Sequence, residues 1–235
     1  MNSNKQPILF LFVLVFLFFN VTWVLSEKTT VIQENSQNIQ AIHQSSTIKD
    51  VYDSLRLDAK GLSEDAYQYA IKGFHEVAAE GLLKNDSILT IVDFDQPSYQ
   101  KRMYIIDVKN YKILFNTWTA HGRNTGKEMA VNFSNQPNSY KSSLGVYVTE
   151  DTYFGNNGYS LRLIGLDKTN SNAANRAIVL HGAPYVSQST INAMGYIGRS
   201  HGCPAVPREL TKPIIEKIKG GSCFFIYNKS YQHTS

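Results

Sequence analysis

Cysteine is nearly absent, with only Cys203 and Cys223 in 235 residues, which excludes a disulfide-dense scaffold. Charge is sparse too: 18% of the chain is Asp, Glu, Lys or Arg, against about 25% in an average soluble domain. No Lys/Arg run occurs and the net charge is a modest +4. Nucleic acid is therefore disfavoured as a partner, because phosphate binding needs a clustered basic footprint. No internal repeat is evident. Apolar content is ample, at 43% hydrophobic and 12% aromatic, which argues against disorder. The length admits one or two domains with a substantial core.

The one long apolar run lies at the start. Ile8 to Phe19 is unbroken for 12 residues behind Lys5, and Asn20 and Thr22 then interrupt it. That length fits the roughly 7–15-residue core of a cleavable export signal over residues 1–26. A membrane-spanning helix needs about 20 residues, and an uncleaved anchor over Ile8–Leu25 is the alternative. No cysteine lies near the cleavage point to carry a lipid. The expectation is an exported chain, in the periplasm or cell envelope, with no stable membrane span after signal cleavage. Residues 27–48, rich in Gln, Asn, Ser and Thr without an apolar period, read as a flexible polar tether.

The remaining chain, 49–235, opens with a helical lead-in over 49–84. Ser63-Glu64-Asp65 resembles a helix cap, Ala66, Tyr69, Ala70, Phe74 and Val77 recur at spacings of three and four, and Gly81 marks a stop. Short β-branched and aromatic runs follow at Ile88–Phe94, Met103–Val108, Ile113–Thr119, Gly145–Val148, Leu161–Leu166, Ala177–His181 and Cys223–Tyr227. One helix, Pro207–Lys219, interrupts them before Gly220-Gly221. The expected fold is mainly β (α+β): a sandwich or barrel with an N-terminal helical lead-in.

Chemistry concentrates in Gly198-Arg199-Ser200-His201-Gly202-Cys203-Pro204-Ala205-Val206. A thiol sits here in a glycine-framed loop. The amides of Gly202 and Cys203 are candidates for an oxyanion hole. His181 ends a strand 22 residues upstream and is followed by Gly182; such a histidine can take the proton from a thiol and return it to a leaving amine. If the segment is extended, His201 projects to the same side as Cys203 and is a second candidate base or substrate contact. Three readings stay open at this level. Cys203 and Cys223 form a disulfide; or His181, His201 and Cys203, with or without His121, bind zinc; or Cys203 is a nucleophile and Cys223 a small core residue.

The segment from His181-Gly182 to Ser200-His201-Gly202-Cys203 resembles the signature of the murein L,D-transpeptidase catalytic domain family, in the YkuD-like superfamily. Further stretches match it in order: Ala120 to Gly126, Phe133-Ser134-Asn135, Ser142 to Gly145, Tyr159-Ser160-Leu161-Arg162-Leu163, Arg176 to Ala183 and Gly202 to Val206. The resemblance runs from about residue 62 to 227.

What this resemblance implies is a cysteine enzyme acting on peptidoglycan stem peptides, as donor and acceptor. Cys203 is the acylated nucleophile and His181 its base, oriented by a backbone carbonyl for which Gly182 is the nearest candidate. His201 and Ser200 would support the site. One departure stands out: the wider superfamily places an apolar residue and then Arg or Asn after the cysteine, where this chain has Pro204-Ala205. Arg199 is a candidate to supply that contact. No metal or organic cofactor is implied. Hydrolysis by the same machinery, as an L,D-carboxypeptidase or endopeptidase, and a non-catalytic envelope module locked by a Cys203–Cys223 disulfide are the alternatives. His121, Ser142 and Ser143 read as packing or turn residues, Asp93 and Arg102 as a structural pair or solvated charges, and His75 and His43 as outside the chemistry.

Overall fold

The computed structural model describes residues 51–231. The expected signal (1–26) and tether (27–48) lie outside the described residues. Among the described residues, no helix is long and apolar enough to cross a membrane.

Helix α1 spans Glu64–Ala79, and its N-cap Ser63 accepts a hydrogen bond from the Ala66 amide. The Asp93 carboxylate reinforces this end by accepting from both the Ser63 amide and its hydroxyl, an anion at the positive pole of the helix. Ala66, Ala70, Phe74 and Val77 form the buried stripe. Gly73 permits a close approach to the sheet, since a Cβ there would come within 2.6 Å of Val146 Cγ2.

Eight strands follow: β1 (Ile88–Asp93), β2 (Met103–Asp107), β3 (Lys112–Thr117), β4 (Gly145–Gly155), β5 (Gly158–Gly165), β6 (Val179–Ala183), β7 (Ala205–Pro207) and β8 (Cys223–Tyr227). They form one sheet in the order β3-β2-β1-β8-β4-β5-β6-β7. β1 pairs with β8, and β6 with β7, in parallel; the other neighbours are antiparallel. The chain leaving β3 bridges back to the opposite end, Ala120 N–H donating to Ala205 O at 2.8 Å. The sheet is thus nearly closed and barrel-like. β8 lies at its centre with all five residues buried, which explains its unbroken apolar sequence.

Helix α2 (Gln188–Met194) and helix α3 (Arg208–Ile218) complete the fold. α3 presses on Gly182 of β6, where a Cβ would meet Thr211 Oγ1 at 2.1 Å.

The architecture agrees with the expectation, and the differences are local. β4 runs seven residues beyond Val148, because a bulge between Thr149 and Thr152 breaks the alternation that marks a strand. β6 starts at Val179 and not at Ala177, which has a left-handed φ of 51°. β7, three residues long, and α2, with no buried residue, give little periodic signal.

Candidate active site

Two adjacent strands build the site. His181 on β6 is the register partner of Ala205 on β7. Cys203 stands two residues before Ala205, level with Val179, and the Val179 amide donates to its sulfur. The same register continues outward, with Ser160 of β5 opposite His181 and Tyr153 of β4 opposite Ser160. Paired residues share a sheet face, so this row lies on the face opposite α3.

The His181 ring is buried, and its Nδ1 lies 3.0 Å from the carbonyl oxygen of Gly182. A carbonyl only accepts, so Nδ1 carries the proton and Nε2 presents a lone pair. Burial lowers the His181 pKa below the usual 6.5, partly offset by that hydrogen bond. The Cys203 thiol, half-buried and free, donates to Ala177 O at 3.6 Å. Burial raises its pKa, against the lowering effect of the Val179 amide, the Arg176 guanidinium and its own amide. Both shifts favour the neutral forms, thiol and imidazole, at neutral pH. Ala177 accepts this thiol contact from an unfavourable backbone region, a placement common at functional sites.

The loop before the thiol is pinned from several sides. Ser200 Oγ accepts from the Gly202 amide at 3.0 Å and donates to Cys203 O at 2.6 Å. Ser142 Oγ accepts from the Gly122 amide and donates to Gly202 O at 3.2 Å. Gly202 has φ +124°, and a Cβ would lie 2.8 Å from Lys141 O, so glycine is required there.

Several expectations need correction. The disulfide reading fails, because Cys203 and Cys223 are both free and Cys223 is fully buried on β8, four strands from β7 in the sheet. Of the two expected oxyanion donors, the Gly202 amide donates to Ser200 Oγ at 3.0 Å, whereas the Cys203 amide is directed at the sulfur. His201 does not share the extended side of Cys203, because Gly202 turns the chain; it is exposed and packs on Tyr140, ring centroids 4.7 Å apart. Arg199 donates to the carbonyls of Arg123 and Gly126, at 3.3 and 3.1 Å, and so braces the 122–126 turn.

His121, named in the zinc reading, instead takes Arg102 Nη2 at 2.7 Å on Nδ1, with its ring edge toward Phe94. Among the described residues, no group of three His, Cys, Asp or Glu could hold a metal ion. Asp93 and Arg102 are both fully buried, so neither is a solvated charge. Arg102 gives its donors to Thr119 O, Gln96 O and His121.

Sequence reasoning missed Arg176. It donates to the carbonyls of Ser134 and Lys141 and to the hydroxyls of Ser139 and Ser143, tying the 134–143 segment behind Gly202. Its signal was its place inside a matched stretch, five residues before His181. An open groove of about 460 Å³, lined by residues including Phe133, Ser134, Leu144 and Tyr231, touches neither Cys203 nor His181.

A family described as L,D-transpeptidase catalytic domain matches residues 58–227. Among solved structures, the chain is similar to an L,D-transpeptidase from Mycobacterium smegmatis, at 12% identity, covering 60% of this chain and 59% of that one, with a TM-score of 0.38. An L,D-transpeptidase from Mycobacterium tuberculosis H37Rv matches at 16% identity over 60% and 58%, TM-score 0.36. Bd1075 of Bdellovibrio bacteriovorus matches at 14% identity over 62% and 50%, TM-score 0.38. The chain thus spans about half to six-tenths of the length of these relatives. No curated protein matches it.

Proposed function

The chain belongs to the L,D-transpeptidase catalytic domain family, and on that premise we propose that it is an exported cysteine acyltransferase acting on peptidoglycan stem peptides. The observation that carries this reading is a free thiol at Cys203, just before β7 and level with Val179 of β6, two residues along that strand from a His181 ring whose Nδ1 is tied to Gly182 O.

The Cys203 sulfur attacks the carbonyl joining the L-centre of a diamino acid to the terminal D-alanine, and His181 Nε2 takes the thiol proton. The Cys203 amide would stabilise the oxyanion. The carbon–nitrogen bond breaks, D-alanine leaves with the proton returned by His181, and a thioester remains on Cys203. An amine from a second stem then attacks the thioester and restores the thiol, which forms a crosslink. Residues 1–26 would direct export to the periplasm or cell envelope, 27–48 would tether, and 49–235 would catalyse.

Incubating the purified protein with tetrapeptide stems and separating the products tests the proposal. Crosslinked dimers support transfer. Free tripeptide makes the protein an L,D-carboxypeptidase, and no release of D-alanine overturns the enzymatic reading.

A further inference from the structure

Arg162 belongs to a matched stretch, Tyr159 to Leu163, that the chemistry above leaves unused. It lies on β5 two residues after Ser160, and its register partner is Val179 on β6. Residues two apart on a strand share a face. Arg162 therefore stands on the His181 face, in the same row as Val179, whose amide contacts the Cys203 sulfur. Each strand step is about 4.8 Å, so the Arg162 backbone is roughly two steps from that of Cys203, within reach of a bound peptide.

The side chain is exposed, and its guanidinium stacks on the Tyr153 ring at 4.4 Å. The β4 bulge opposite carries Glu150 and Asp151, yet none of the ion pairs among the described residues involves Arg162. Stacking holds the fork in place while leaving its edge N–H groups open. Neither Ala205, buried on β7, nor Arg199, engaged with Arg123 and Gly126, offers a cation to this face.

We infer that Arg162, braced by Tyr153, is a carboxylate-binding subsite that orients the stem peptide across Cys203 and His181. The inference rests on the stem-peptide reading above and deepens it. A planar guanidinium matches a carboxylate through two parallel N–H···O bonds. The carboxylate at the D-alanine end and that of another stem residue share this chemistry.

The test is calorimetric binding of three peptides to the full chain carrying Cys203→Ala, so that turnover does not intervene. The peptides are a tetrapeptide stem, the stem with its terminal carboxylate as a carboxamide, and the stem with every carboxylate so converted. Arg162→Gln should weaken binding of the free stem by about tenfold or more and leave the fully amidated stem unchanged. Arg162→Lys should fall between, because it keeps the charge and loses the fork. Sensitivity retained by the terminal carboxamide assigns an internal carboxylate; sensitivity lost assigns the D-alanine end. Equal weakening of all three peptides, no weakening, or no measurable binding overturns the subsite. Loss of D-alanine release by the wild type alongside Arg162-dependent binding would sink the catalytic reading alone.

Discussion

The His181 imidazole donates from Nδ1 to the carbonyl oxygen of the adjacent residue, Gly182, at 3.0 Å. The group that orients this imidazole is thus backbone, and no acidic or amide side chain is needed to fix the tautomer. With burial holding the His181 pKa below the usual 6.5, Nε2 is unprotonated at neutral pH.

It follows that acylation of Cys203 should hold from neutral pH down to below pH 6.5 and fail only where His181 protonates and can no longer accept. Because burial raises the thiol pKa, iodoacetamide alkylation should keep accelerating above pH 9. His181→Gln should slow acylation by about a hundred- to ten-thousandfold while leaving slow alkylation at high pH. Acyl-enzyme formation with a carbapenem, a class with which this family is expected to react covalently, followed by mass spectrometry across pH, measures the first expectation.

Cys203→Ala should abolish any carbapenem adduct. Cys223→Ala should keep the adduct and lower stability by about 1 kcal/mol, since it removes one buried sulfur from a packed strand. Thiol counting on the unreduced protein should find two free cysteines after unfolding.

Arg176 lowers the Cys203 pKa and anchors residues 134–143. Arg176→Gln should raise the thiol pKa further and cost about 2 kcal/mol in stability, through lost charge-assisted hydrogen bonds. Arg176→Lys should retain more of the pKa effect than of the stability. The pH dependence of alkylation and urea unfolding separate the two.

Burial and the neighbouring Arg102 charge lower the His121 pKa to about 3. Between the unfolded value of 6.5 and about 3, the unfolded chain binds a proton that the folded chain refuses, so stability present above pH 6.5 drains away as pH falls. The loss is about 1.4 kcal/mol per pH unit for one proton. His121→Gln should flatten the stability–pH slope by about that amount between pH 6 and 4, measured by urea unfolding at each pH.

A backbone hazard gives the last expectation. Gly202→Ala should destabilise the loop and suppress the carbapenem adduct, because φ is +124° and the new Cβ would lie 2.8 Å from Lys141 O. Adduct yield together with melting temperature checks it.

The amino-acid order by itself determined the strongly periodic elements and singled out the candidate pair. Cys223–Tyr227 is legible because a central strand buried on both faces must be apolar throughout, and α1 because one stripe must face the sheet. Cys203 and His181 are legible as candidates because their segments resemble the family signature, whereas residue type and spacing alone left a disulfide and a zinc site open. Tertiary structure alone decided where their partners are. Gly202's amide turns to Ser200, His201 to Tyr140, Arg199 to a neighbouring turn, and Arg176 to the 134–143 segment. Hydrogen-bond direction depends on φ, ψ and strand register, which bring residues such as Arg162 and Val179 together from distant stretches of chain, and local composition carries no record of that pairing.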